Sequence, residues 1–169
     1  MKKLKALVLL MPILAACGKG AGDYVGYWQR QDDARVSVME ISKDGENYFL
    51  TQNLLSKRKN QTTPSLLIEK DGKLSTNVMD TPMALSEDGK TLFVGNLSFN
   101  KIDAAEKDKL VAHQEACTKL HKEYIDSRPP FDFSVKHDVR EARKKAYEQK
   151  FNERFAELEK NGRCNARPL

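Results

Sequence analysis

The chain has 169 residues, with 29 Lys and Arg against 24 Asp and Glu, and a formal charge of +5. This length suffices for one domain with a buried core. The sequence contains no nucleophile elbow, zinc-protease helix, P-loop or dinucleotide fingerprint, so we predict that the protein is not an enzyme. Lys2, Lys3 and Lys5 belong to the first five positions, and without them the charge falls to +2. This near-neutral remainder argues against a nucleic-acid-binding protein.

The first seventeen residues have the pattern of an export signal. A basic start is followed by an apolar run over 6–14, about half of the ~20 residues that a helix needs to cross a bilayer. The run ends in Leu14-Ala15-Ala16-Cys17, which resembles the lipobox of bacterial lipoproteins. The resemblance implies that residues 1–16 are a signal peptide, that Cys17 carries lipid such as palmitate, and that 153 of the 169 residues remain.

Residues 17–22 are predicted to be a flexible tether, because three of the five residues after Cys17 are glycines. The tether is short, so we expect the folded part to lie close to a membrane surface. Gly18 follows the cysteine directly, which is similar to lipoproteins that are sorted to the outer membrane, whereas an Asp there favours retention in the inner membrane. We therefore expect the periplasmic face of the outer membrane, and the inner membrane remains the alternative.

Residues 23–102 have the pattern of short antiparallel strands. Three Asp-Gly pairs, beginning at Asp44, Asp71 and Asp88, each separate two apolar or alternating runs. Asp-Gly in this setting is a strong hairpin signal, because the turn requires positive φ angles. The sequence therefore predicts a meander of six to eight strands that forms a curled sheet or a small incomplete barrel.

The first predicted strand contains Gly26-Tyr27-Trp28, which resembles the Gly-x-Trp motif of lipocalin-like barrels, where the Trp plugs one end. The resemblance implies a cup for a small apolar ligand, lined here by Trp28, Tyr27, Phe49 and Phe93. Those barrels also place an Arg of the last strand against the Trp, and at that place this chain offers Lys101. We favour the simpler interpretation that Trp28 is the largest anchor of an ordinary core.

Residues 103–169 are predicted to be helical and to pack with the strands in one domain, which makes the fold class α+β. Asp103 followed by Glu106 is typical of a helix start. Arg128-Pro129-Pro130 ends this first helix. Ser134 has the residue type of an N-cap for a second helix.

Two further features of the helical region bear on function. Phe131 and Phe133 lie in the linker between the helices, and we expect them to dock on the sheet. The second helix is dense in Lys, Arg and Glu with the signs interspersed, which favours a solvated face. The alternative is a surface for a partner protein or for anionic lipid headgroups.

Cys117 and Cys164 form an even pair once Cys17 carries lipid, and an oxidising periplasm favours a disulfide between them. In a simple antiparallel hairpin the second helix would begin beside the end of the first. The two cysteines would then lie about 30 Å apart, because Cys117 precedes the end of the first helix by ~14 Å and Cys164 follows the start of a straight second helix by ~45 Å. A disulfide needs Cα atoms within ~7 Å. We retain the bond and expect either a bent second helix or a displaced start after the 127–134 segment.

His113, Cys117 and His121 recur at intervals of four residues, which puts them near one face of the first helix. Imidazole and thiolate are good ligands for Zn or Cu, so a metal site is one hypothesis. The alternative is a disulfide cysteine between two boundary histidines. We predict no cofactor, and His113 and His121 remain the candidates for a metal.

These patterns favour a non-enzymatic binding or accessory protein held at a membrane by the lipid on Cys17. The expected partner is another envelope protein, either a component of a secretion or surface-assembly machine or an incoming hydrolase or toxin that the protein blocks. The alternatives are a lipocalin-like carrier of a small apolar ligand and a metal-binding protein.

Overall fold

The structure, a computed structural model, describes residues 20–30, 35–56, 63–77 and 80–167. The predicted signal peptide, Cys17 and the next two residues of the predicted tether lie outside the described residues. The last three residues of the predicted tether, 20–22, belong to the fold, because Gly20 caps a 3-10 helix and Ala21 is buried in the barrel core. A short 3-10 helix and eight strands precede two helices: the 3-10 helix Ala21–Tyr24, β1 Gly26–Arg30, β2 Val38–Asp44, β3 Asn47–Thr51, β4 Ser65–Lys70, β5 Lys73–Thr76, β6 Met83–Leu85, β7 Thr91–Val94, β8 Leu97–Ile102, α1 Ala104–Asp126 and α2 His137–Glu159. The predicted α+β fold class and the predicted number of strands are confirmed.

The eight strands form one antiparallel sheet in the order β5-β4-β3-β2-β1-β8-β7-β6. Strand β1 pairs with both β2 and β8, so the first and last strands of the meander are neighbours. The two edge strands, β5 and β6, meet through a single bridge between Ser75 and Pro82. The sheet is therefore curled into a nearly closed barrel.

The three Asp-Gly pairs make the turns β2–β3, β4–β5 and β6–β7, as predicted. Their glycines have φ angles of 58°, 74° and 71°, and Asp71 also has a positive φ of 53°. A β-branched residue would be strained at such angles, whereas Gly and Asp tolerate them. The hairpin registers place alternate residues of each strand inside the barrel.

Trp28 is the largest side chain of the barrel interior and is fully buried. Its Nε1 donates to the Tyr24 carbonyl at 2.8 Å, and the Tyr24 hydroxyl donates to the Met83 carbonyl at 3.2 Å. The Nζ of Lys101, which is opposite Trp28 on β8, lies 5.1 Å from the Trp28 ring centroid and donates to the Asp23 carbonyl. The 3-10 helix therefore closes the barrel end at which β1 begins.

The helices have an apolar core of their own. It consists of buried side chains from both helices and from the tail: Cys117, Leu120, Phe151, Phe155 and Cys164. Tyr124, Tyr147 and Leu158 lie at its margin. None of these residues belongs to the barrel core. Asp103 caps α1 as predicted, because its carboxylate accepts from the Glu106 amide at 2.7 Å.

Two expectations for the linker between the helices were wrong. Ser134 does not cap α2, because the helix begins at His137 and the Ser134 amide and hydroxyl both donate to Asp132 Oδ1. Phe131 and Phe133 do not dock on the sheet. They are 68% and 87% exposed and contact each other edge to face at 4.6 Å between ring centroids.

The helices are antiparallel, but their ends are not level. Tyr147 donates to the Tyr124 carbonyl, and at the other end of the pair His113 contacts Gly162. About 15 Å of α2 precedes Tyr147, whereas about 3 Å of α1 follows Tyr124. The structure therefore has the displaced start, with residues 127–136 carrying the chain outward. Cys164 reaches Cys117 because α2 begins beyond the end of α1 and is therefore shifted along it.

Candidate functional site

Cys117 and Cys164 form a disulfide with a Cα–Cα distance of 5.5 Å, as the sequence predicts. The bond holds the tail after α2 against α1, where the buried Gln114 donates to the Arg163 carbonyl at 2.6 Å and accepts from the Asn165 amide at 2.9 Å. The Asn165 side chain in turn exchanges two hydrogen bonds with the Val36 backbone, at 2.9 and 2.6 Å. The disulfide thus positions a clasp that links the helices to the barrel.

The histidines of the hypothetical metal site are separated by the fold. His113 Nε2 lies 2.8 Å from the Gly162 carbonyl oxygen and 3.6 Å from Cys117 Sγ. His113, Cys117 and Cys164 bring their ligand atoms within 4.8 Å of one another, and His121 is not in that group. While the sulfurs are bonded to each other they offer no thiolate, so this cluster acts as part of the helical core.

The four residues proposed to line a cup lie on two sides of the barrel wall. Trp28 faces the interior, whereas Tyr27 precedes it on β1 and therefore points outward. Phe49 alternates with the buried Tyr48 and Leu50, and Phe93, which follows the buried Leu92, is 43% exposed. These four side chains do not line one cavity.

A cleft of about 340 Å³ lies instead at the end of the helical pair. We call residues 127–136 the elbow, and the elbow cleft is the space between the elbow and the first turns of α2. Arg140 holds the elbow in place, because its Nη1 donates to the carbonyls of Asp132 and Val135 at 3.1 and 2.9 Å. Its guanidinium also lies 4.8 Å from the ring centroid of Phe131. Tyr124 and Tyr147 form the floor of the cleft.

Charged side chains of both signs surround the elbow cleft. The hydrogen bonds from Ser134, and then the nearby guanidiniums of Arg143 and Arg140, hold the pKa of Asp132 below its ordinary value. Lys144 is within 4.0 Å of Glu148. The side chains of Arg128 and Arg143 line the cleft and make no hydrogen bond or ion pair with the described part of the chain. The cleft therefore offers two guanidinium groups whose donors are not used within the described residues, although the charge of Arg143 is partly countered by Asp132.

No sequence pattern described above predicts the elbow cleft. The available signal was the run Pro129-Pro130-Phe131-Asp132-Phe133, in which two aromatic residues follow a rigid helix stop. We assigned those aromatics to the sheet because apolar side chains usually find a core. Their exposure depends on the displacement of α2, which no local pattern encodes.

No helix in the described segments combines the length and the apolar character that crossing a membrane requires. Comparison with protein-family models, with curated proteins and with solved structures found no match.

Proposed function

We propose that this chain is a lipid-anchored protein of the bacterial envelope that works by binding another envelope protein and carries out no catalysis. The lipobox-like Leu14-Ala15-Ala16-Cys17 supports the anchor. The exposed aromatic pair at the elbow supports the binding role, because large apolar side chains that project into solvent mark interaction sites more often than they serve stability.

The packing of the barrel supports a role for outer surfaces. Trp28, Ile41 and Leu92 have no accessible surface, and the other inward-facing residues of the barrel core are at most 7% exposed. A water-sized void beside these side chains would leave accessible surface on them. The core side chains of the described residues therefore leave little accessible surface for a ligand, which weighs against the alternative of a carrier for a small apolar ligand.

The elbow lies far from the proposed anchor. Gly20 begins the 3-10 helix that closes one barrel end, and α1 starts at the same end, where Lys107 Nζ lies 5.2 Å from the ring centroid of Tyr27. From Lys107 the helix runs ~29 Å to Asp126, and the start of α2 adds roughly 12 Å. A partner that meets the elbow therefore binds about 41 Å along the helices from Lys107, which lies beside Tyr27 at the start of β1. This position suits a soluble or membrane-held protein of the envelope.

The partner is either a component of a secretion or surface-assembly machine or an incoming hydrolase or toxin that this protein blocks. Both kinds of partner require an exposed rigid surface and no cofactor. The disulfide and the clasp at Asn165 keep the helices in one orientation relative to the barrel, which lowers the entropic cost of binding.

Two measurements test the proposal. Metabolic labelling with palmitate should mark the full-length chain, and Cys17→Ser should remove the label and release the protein from the membrane fraction. In intact cells, crosslinking followed by affinity purification of the full-length chain should recover a specific envelope protein. Unlabelled wild-type protein would refute the anchor, and recovery of the same proteins by an unrelated lipoprotein would refute the binding role. Native mass spectrometry that finds a stoichiometric apolar ligand would favour the carrier instead.

A further inference from the structure

The elbow cleft has the rigidity of a preformed binding site. Pro129 and Pro130 fix two φ angles and remove two backbone donors. The two hydrogen bonds from Arg140 hold the rest of the elbow against α2. A volume of about 340 Å³ is at the lower end of the range for clefts that hold small ligands, and it suits one apolar side chain with the backbone on either side of it.

An apolar lip borders this cleft. Phe131 lines the cleft and is 68% exposed, and Phe133, which contacts Phe131, is 87% exposed. Aromatic anchors of this kind carry a large share of the energy in protein interfaces, because they bury much apolar area at a small cost in side-chain entropy.

The charges around the cleft define what binds beside the apolar lip. Asp132 accepts the amide and the hydroxyl of Ser134 at one oxygen, Oδ1, and the nearby guanidiniums of Arg143 and Arg140 counter its charge. Arg128 and Arg143 retain their guanidinium donors, and the flat fork of a guanidinium matches a carboxylate. The cleft is lined by four cationic side chains, Arg128, Arg140, Arg143 and Lys144, and by three acidic ones, Asp132, Glu141 and Glu148. This small excess of positive charge favours a ligand that combines carboxylates with an apolar side chain.

We propose that the elbow cleft binds an extended acidic segment of a partner protein, with an apolar side chain of that segment in the cleft and its carboxylates on Arg128 and Arg143. This inference rests on the proposed function and names the surface and the chemistry that it uses. A protein segment fits better than a lipid headgroup, because the elbow is at the end of the molecule opposite Gly20 and the proposed anchor.

A direct test measures peptide binding to the full-length protein in detergent. The probe is a fluorescent octapeptide of alternating Asp and Leu residues, and its counterpart has Asn in place of Asp. We expect the acidic peptide to bind at least about fivefold more tightly at low salt, which corresponds to one exposed charge contact of ordinary strength. Arg128→Gln with Arg143→Gln should abolish this preference, and Phe133→Ala should weaken the binding of both peptides.

The matched control is Lys70→Gln with Lys73→Gln, which removes the same charge from the exposed β4–β5 turn of the barrel. This control should retain the preference for the acidic peptide. All of the substituted side chains are exposed, so the thermal unfolding of each variant should match that of the wild type. Equal affinity for the two peptides, or an equal loss in the control pair, would overturn the proposal. So would arginine-dependent binding to phosphatidylglycerol vesicles that the acidic peptide fails to compete.

A photocrosslinking amino acid in place of Phe133 tests the site in intact cells. The control position is Phe93, an exposed aromatic on the barrel wall. We expect a discrete protein adduct from position 133, with the crosslink inside an acidic segment of the partner, and no adduct from position 93. Adducts from position 93 alone would remove the elbow site but leave the binding function intact. The absence of adducts from both positions, together with no partner in the purification, would remove the binding function itself.

Discussion

Removal of the Cys117–Cys164 bond should loosen the helices and leave the barrel folded. The two cysteines are 47 residues apart in sequence, and closing a loop of that length stabilises the folded state by about 4 kcal/mol in the loop-entropy account. The helical core has three other buried side chains, Leu120, Phe151 and Phe155. Burial of each contributes roughly 1.5–3 kcal/mol. The bond therefore contributes between about half and about nine tenths as much as the burial of these three side chains.

Hydrogen exchange measured by mass spectrometry provides the assay, because it reports the stability of each segment separately. In Cys117→Ala with Cys164→Ala, exchange in α2 and in the second half of α1 should accelerate by up to about a thousandfold, the equivalent of 4 kcal/mol. The strands should retain their protection, because the barrel core contains neither cysteine. Reduction of the wild type should give the same pattern.

Two outcomes would refute this reasoning. If protection fell equally in the strands and the helices, the two cores would unfold as one unit in spite of their separate composition. If the helices kept wild-type protection from exchange, the disulfide would contribute little to their stability, and the apolar core alone would hold them together. Trp28→Phe is the reciprocal control, because its effect should fall mainly on the strands.

Three other predictions concern the barrel, the clasp and the elbow. Trp28→Phe removes the hydrogen bond to the Tyr24 carbonyl and leaves a cavity, so urea denaturation should show a loss of about 2–4 kcal/mol; a loss below that range would mean that the barrel repacks. Asn165→Ala removes two hydrogen bonds to the β2 side of the barrel, so exchange at residues 36–38 should rise, and unchanged exchange there would contradict a clasp. Ser134 and nearby arginines lower the pKa of Asp132 in the folded state. The contribution of this carboxylate to the free energy of unfolding is therefore present above the pKa that it has in the unfolded chain, and it is lost as the pH falls through the pKa that it has in the folded protein. The melting temperatures of the wild type and Asp132→Asn should therefore converge in acid, and a gap that widens there would contradict this sign.

The strands were predictable because their signals are local. Asp-Gly turns and two-residue alternation specify hairpins within a few residues, and the hairpins in turn set which side chains enter the barrel. The same alternation shows that Tyr27 and Trp28 point to opposite sides of the sheet. The predicted cup placed both side chains in one cavity, although neighbouring residues of a strand cannot face the same side of the sheet.

The elbow was not predictable in the same way, because it depends on how far one helix is shifted along the other. The helix stop at Pro129-Pro130 and the apolar residues of α2 are visible in the sequence. The register between α1 and α2 is set by contacts distant in sequence, such as the bond between Cys117 and Cys164 and the pair Glu123–Arg154. A displaced start of α2 was one of the two arrangements predicted from the sequence, but the cleft that this displacement creates was not predicted.

The disulfide therefore has a consequence for the candidate site as well as for stability. If α2 began level with the end of α1, the whole helix would be shifted by ~12 Å, roughly two turns, from its present position. Phe155 would then leave the level of Cys117 and Leu120, and Cys164 would be carried out of bonding distance of Cys117. The bond and the burial of Phe155 exclude that register. The surplus turns of α2 are thus forced beyond the end of α1, where they form one wall of the elbow cleft. Because the same contacts that fix the helical core also fix the position of Arg143, the proposed binding site is held by the disulfide about 20 residues away along the chain.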